Sequence, residues 1–111
     1  VFLEDCQNAW GKTFPGWARG ATCDTISGIS CDALGMITKI SLTVNLNGPI
    51  PDSISSLASL SDLTITNNKL NGSIPNSISE LSQLTFLDLS DNSLTGTIPS
   101  GIYLLPQLSY L

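Results

Sequence analysis

Apolar residues recur at a spacing of 24 residues over the second part of the chain. The period is clearest at an Ile-Pro pair, which begins at Ile50, Ile74 and Ile98. A chain with such a period stacks similar turns on one another and exposes a long, shallow surface, which favours binding over catalysis. Matching columns flank the pair: Leu46, Leu70 and Leu94; Ile54, Ile78 and Ile102; Leu57, Leu81 and Leu105.

Each repeat contains two kinds of apolar spacing. Leu63 and Ile65 alternate with polar residues, which predicts a strand with one buried face. Ile74, Ile78 and Leu81 are spaced as in one helical turn, and the Pro after Ile74 opens that turn. The Asn at each bend can bond the backbone of the neighbouring repeat, so the repeats should form an Asn ladder. The bend residues are Asn68 and Asn92.

The columns divide the chain into a cap and a series of repeats. Residues 1–36 lack the period, and we expect them to cover the first apolar layer. The first repeat is one residue short between Leu42 and Leu46, so its turn should differ locally. The repeats occupy 37–59, 60–83 and 84–107, and a fourth begins at 108–111.

The pattern LxxLxLxxNxLxGxIP in residues 37–111 resembles the plant-type leucine-rich repeat. The resemblance implies an α/β repeat, a solenoid with a parallel β-sheet on its concave side. It also implies a second short strand near each LxGxI segment, and 3₁₀ or short helical turns on the convex side.

Residues 1–36 are similar to the N-terminal cap of the same family, which implies a disulfide bond between Cys23 and Cys31. The similarity is incomplete, because the cysteines are one residue further apart than the family has them and the Trp expected between them is missing. Cys6 is left over. It is either a buried free thiol, which behaves as a small apolar side chain, or a bond to another chain or segment.

The composition narrows the classes of function. Four Lys and Arg against nine Asp and Glu give a net charge of −5, which argues against nucleic acid because phosphate contacts need a basic patch. The lack of histidine removes the commonest general base and metal ligand, so we expect no enzyme activity and no cofactor. No apolar run of about 18 residues predicts a membrane span. The start at Val1, without Met or a signal peptide, is typical of a processed product or a fragment.

In the resembling family, ligand contacts usually come from outward-facing strand positions on the concave side. Two columns occupy those positions here, and Phe86 beside Tyr110 is their most distinctive feature. Two exposed aromatic rings supply contact area, although ordinary cross-strand stacking is the alternative. The first column contains Lys39, Asp62, Phe86 and Tyr110, and the second contains Ser41, Thr64 and Asp88. The candidate ligand-binding residues are Lys39, Asp62, Thr64, Phe86, Asp88 and Tyr110.

Asp62, Asp88 and Asp91 form an acidic patch on the same side. A metal site and a solvated surface are the two interpretations. The loose spacing and the absence of histidine favour the solvated surface, so we predict no metal.

Polar residues of the LxGxI segments are in register at Asn71, Ser73, Thr95 and Thr97. Such a ladder could order water, as in ice-binding solenoids, or could simply place small polar residues at exposed strand positions. The segment Asn71-Gly72-Ser73 is also the single N-glycosylation sequon of the chain, which makes Asn71 the predicted glycan site.

The sequence predicts an extracellular or cell-surface binding module without catalytic activity, whose ligand is a protein, a peptide or a glycan. A structural protein that self-assembles is one alternative, and an ice-binding solenoid is another. Self-assembly would use an uncovered apolar edge, where a second chain can pair and stack. The edge residues are Leu105, Leu108 and Leu111.

Overall fold

The computed structural model describes residues 28–43 and 45–109. The predicted cap helix, Cys6 and Cys23 lie outside these residues, and so do Tyr110 and Leu111.

One strand of each repeat joins a four-stranded sheet in the order β1-β2-β4-β6. Its strands are β1 (Ile29–Cys31), β2 (Ile37–Leu42), β4 (Asp62–Ile65) and β6 (Phe86–Asp88). The last three are parallel to one another, with Leu63 opposite both Ile40 and Leu87. The parallel sheet that the repeat implied is therefore confirmed.

The antiparallel strand β1 is a feature that the sequence analysis did not predict, because it assigned residues up to 36 to the cap as a whole. Ile29 lies opposite Ile40 in the neighbouring strand. The carboxylate of Asp32 accepts the N–H groups of Leu34 at 2.9 Å and Met36 at 3.0 Å, which closes a turn that returns the chain along β1. Cys31 is disulfide-bonded. Its partner is outside the described residues, so the bond to Cys23 and the disulfide-stabilised cap stay predictions.

A second, smaller sheet follows the Asn bend of each repeat. It pairs β3 (Asn47–Gly48) with β5 (Lys69–Leu70) in parallel, as the LxGxI segments implied. A parallel bridge between Ser73 and Thr95 extends it to the third repeat. Partners in this sheet are 22 residues apart, two fewer than the repeat. Placing Asn71 beside Thr95 was therefore wrong, because the repeats are sheared by two residues at this position.

Three 3₁₀ turns on the other side of the molecule follow the Ile-Pro pairs, as expected. They span Asp52–Ser56, Asn76–Glu80 and Ser100–Leu104. In each turn the central Ile donates its N–H to the preceding Pro carbonyl at 3.0–3.2 Å and points its side chain into the core. Proline thus both ends the extended segment and starts the turn.

Between the two sheets and the 3₁₀ turns lies one continuous core of Leu and Ile side chains. Its members are the repeated columns that the sequence shows, and most of them are completely buried. The completely buried members include Leu46, Ile54, Leu60, Leu63, Ile65, Leu70, Ile78, Leu81, Leu84 and Ile102.

The Asn ladder is confirmed. Buried Asn68 accepts the Leu46 N–H at 2.8 Å, and its Nδ2 donates to the carbonyls of Leu42 at 3.1 Å and Thr66 at 2.8 Å. Asn92 repeats the arrangement one layer on, accepting the Leu70 N–H at 3.1 Å. Each Asn therefore satisfies backbone groups in the turn of the preceding repeat, which would otherwise be buried without partners.

A second ladder, made of hydroxyl groups, was not predicted. Ser61, Thr85 and Ser109 each donate a side-chain hydroxyl to the carbonyl of the residue one repeat earlier, at 3.1 Å in every case. The N–H groups of the same residues donate to the same carbonyls at 2.8 Å. The signal was present in the sequence, since a Ser or Thr follows the first Leu or Ile of each repeat. The ladder fixes the start of each strand on its neighbour.

Replacement of Asn68 by Ala should destabilise the fold by about 3 kcal/mol, because buried backbone groups at Leu46 and Leu42 lose their partners. Urea unfolding should show a lower midpoint with an unchanged slope. Asn76→Ala is the matched control, since Asn76 is exposed and should tolerate the change within about 0.5 kcal/mol. Equal losses in the two variants would contradict the ladder's role.

Replacement of Gly101 by Ala should destabilise the fold by about 1–3 kcal/mol through overpacking. A Cβ at this position would lie 2.7 Å from the Ser79 Cβ, so the second and third 3₁₀ turns would have to separate. Ser79→Gly removes the obstructing atoms, and the double variant should regain part of the loss. Thermal unfolding of the two single variants and the double variant measures this coupling, and strictly additive losses would refute the close contact.

Candidate functional site

Six side chains project from β2, β4 and β6 on the side away from the core, and we call this surface the strand face. Their neighbours along each strand, such as Ile40 and Leu63, are buried, which is the alternation that the sequence predicts. Parallel pairing aligns the six side chains in two columns. The columns are Lys39, Asp62 and Phe86, and beside them Ser41, Thr64 and Asp88.

The charges of the strand face are partly paired. Lys39 Nζ lies 3.5 Å from Asp62 Oδ2, and the Thr85 hydroxyl donates to Asp62 Oδ1 at 3.4 Å. Both ionic side chains are in contact with solvent, so the ion pair contributes little to stability. It does neutralise one carboxylate, which leaves Asp88 without a cation opposite it in its column.

Asp88 is held as a carboxylate by its own strand end. The Ser90 hydroxyl and the Ser90 N–H donate hydrogen bonds to it and lower its pKa, more than the slight burial raises it. The N–H bond to Asp88 Oδ1 measures 3.0 Å. Asp91 follows in the left-handed conformation, with φ of 57°, and is exposed. The C-terminal end of the strand face is therefore negative.

The aromatic pair of the sequence analysis is only half described. Phe86 is half-buried on β6 opposite Asp62, and Tyr110 lies outside the described residues. The role of the pair in binding stays a prediction.

The most exposed apolar side chains lie elsewhere, and the sequence analysis did not single them out. In the third 3₁₀ turn, Tyr103 is 67% and Leu104 is 82% exposed, where the second turn has Ser79 and Glu80. Comparing the turns column by column would have shown this replacement of polar by apolar residues.

A groove of about 330 Å³ opens beside Asp88 and Ser90. In the first two repeats, side chains at the equivalent positions, including Leu63, Ile65 and Leu70, are completely covered by the next repeat. The groove thus has the form of a stacking surface between repeats, and we assign it no ligand. Its apolar lining consists of Ile74, Leu87, Leu89, Leu94 and Ile98.

The predicted assembly edge is only partly exposed. Leu105 is buried, with 9% of its surface exposed, because it closes the third 3₁₀ turn against the core. The expectation of an uncovered Leu105 was wrong. Leu108 is half-buried against the same core, and Leu111 is not described.

Within residues 28–43 and 45–109, Asp62, Asp88 and Asp91 do not form a cluster that could hold a metal ion. In the same part of the chain, the helical segments are all too short to cross a bilayer.

Comparison with known proteins agrees with the architecture. The family model for the leucine rich repeat matches residues 36–94. Among curated protein sequences, none matches the chain.

Solved structures give more specific likenesses. The ectodomain of the receptor kinase SOBIR1 from Arabidopsis thaliana is 27% identical, covering 98% of this chain and 61% of that one, with a TM-score of 0.76. The plant peptide hormone receptor RGFR1, solved in complex with RGF2, is 38% identical over 74% of this chain and 12% of its own, with a TM-score of 0.65. A plant ice-binding protein shares the fold alone, at 24% identity and a TM-score of 0.62 over 98% of this chain and 45% of that one.

This chain spans less than two thirds of each of these relatives. The family model covers more than half of it, and the repeated strand, Asn bend and 3₁₀ turn recur in every layer. The chain belongs to the leucine-rich repeat family, and its repeats are of the plant type.

Proposed function

We propose that this chain is an extracellular recognition module without catalytic activity, and that it binds a peptide or a peptide segment of a protein on the strand face. The observation that carries the proposal is the alignment of six projecting side chains in two columns by parallel strands. The likeness to RGFR1, a peptide hormone receptor solved with RGF2, supports the ligand class and the extracellular location. Glycan binding, self-assembly and ice binding stay predictions.

The chemistry of the strand face suits an extended peptide with a basic side chain. Asp88 is ionised and has no cation opposite it, so a Lys or Arg of the ligand can donate a charge-assisted hydrogen bond to it. Thr64 and Ser41 occupy the same column and can exchange hydrogen bonds with the ligand backbone. Phe86, half-buried in the neighbouring column, offers an apolar surface to a further side chain.

Peptides selected from a random displayed library on the immobilised full chain should be enriched in basic residues. Their affinity should fall by about tenfold or more for Asp88→Lys, because like charges then oppose each other. Glu80→Lys makes the same change of charge in the second 3₁₀ turn and should leave the affinity unchanged. Titration calorimetry measures both variants. An equal loss in the two, or enrichment of acidic peptides, would sink the proposal.

Binding of a basic peptide should be constant between about pH 5 and pH 7 and should weaken only in stronger acid. The pKa of Asp88 lies below the ordinary Asp value of about 3.9, so the carboxylate persists as the pH falls until its lowered pKa is reached. Ser90→Ala removes the hydroxyl donor and should move the loss to higher pH. Asp88→Asn should bind more weakly at every pH and show no such transition. Circular dichroism at each pH verifies that the chain is folded.

A further inference from the structure

The residues that follow the Asn bend differ between the repeats in a way that the proposed function does not explain. The equivalent triplets are Asn47-Gly48-Pro49, Asn71-Gly72-Ser73 and Thr95-Gly96-Thr97. N-glycosylation requires Asn followed two residues later by Ser or Thr. The first triplet has the Asn but Pro49 in place of the hydroxyl, and the third has the hydroxyl but no Asn. The second triplet alone is complete.

We propose that Asn71 carries an N-linked oligosaccharide, which covers the outer surface of the second sheet and leaves the strand face as the binding surface. The proposal rests on the extracellular location within the proposed function. In the transfer, Asn71 Nδ2 forms a bond to the anomeric carbon of a polyprenyl-pyrophosphate-linked oligosaccharide. The anomeric C–O bond breaks, the polyprenyl pyrophosphate leaves, and Nδ2 loses one proton to solvent.

The folded chain leaves room for this modification. Asn71 follows β5, and its backbone N–H donates to the Gly48 carbonyl at 3.0 Å, while its side chain is exposed. No hydrogen bond holds the Asn71 amide among the described residues, whereas the amides of Asn68 and Asn92 are occupied by the ladder. Attachment of a glycan to Asn71 therefore costs no interaction of the fold.

The backbone beyond Asn71 keeps the attachment point open. Gly72 has a φ of 69°, and the nearest atom to a Cβ built there is Pro49 Cβ at 3.8 Å. Ser73, the hydroxyl residue of the sequon, is exposed and pairs with Thr95 of the next repeat. A glycan rooted at Asn71 thus begins beside a surface of small polar side chains, with which sugar hydroxyls can form hydrogen bonds.

The position of Asn71 also determines which surface remains accessible. The bend at Asn67 and Asn68 separates β4, which carries Asp62 and Thr64, from β5. A bulky glycan in the middle of the second sheet occupies the polar surface that a water-ordering ladder would need. The strand face, on the other side of the bend, keeps its two columns free for a ligand.

The test is expression of the full chain behind a cleavable secretion signal in eukaryotic cells, followed by intact-mass measurement of the total product. The wild-type chain should carry one N-glycan, which peptide N-glycosidase removes with conversion of Asn71 to Asp. Ser73→Ala and Asn71→Gln should each abolish it. Thr95→Asn completes the third triplet with Thr97 and should add a second glycan. A wild-type chain without a glycan, or a glycan that persists in Ser73→Ala, would overturn the inference.

The basic peptide selected on the strand face separates this inference from the proposed function. Its dissociation constant should agree within about twofold between the glycosylated chain and the enzymatically deglycosylated chain. A rise of about tenfold or more on glycosylation would show that the glycan covers the strand face, contrary to the inference. Peptide binding by a chain without a glycan defeats the glycan alone. A glycosylated chain whose affinity ignores Asp88→Lys defeats the binding proposal alone.

Discussion

The turn of each repeat leaves buried backbone groups that only the next repeat can satisfy. Asn68 reaches back to Leu42 and Leu46 in the first repeat, and Asn92 does the same for the second. An unpaired buried N–H or carbonyl is costly, so a single repeat is a poor folding unit. Stability in this chain is consequently a property of neighbouring pairs, and the amide ladder together with the hydroxyl ladder fixes how each pair is stacked.

This fixed stacking is what makes a binding surface out of ordinary residues. Lys39, Asp62 and Phe86 are more than 20 positions apart in sequence, yet they lie side by side because the layers below them cannot slip. None of the three is chemically unusual. Their value is collective, since the strands hold them at a constant spacing and in a constant order before any ligand arrives, which lowers the entropy cost of binding.

The sequence predicted the features that repeat and missed those that occur once. The Leu and Ile columns, the Pro that opens each 3₁₀ turn and the bend Asn all have equivalents one period away, so comparison between repeats identified them. Strand β1 has no equivalent, because it depends on one carboxylate, Asp32, that closes a local turn. Burial of Leu105 was missed for another reason: the end of a 3₁₀ turn packs inward, which spacing alone does not show.

The two sheets count the same repeats with different rulers. From the second repeat to the third, partners in the strand sheet are 24 residues apart, whereas partners in the second sheet are 22 apart. The two surfaces therefore drift past each other by two residues per layer, as the scales of a vernier do. A ligand that touched both would meet a different combination of residues at every layer, so a solenoid of near-identical repeats can still contain addresses that occur only once.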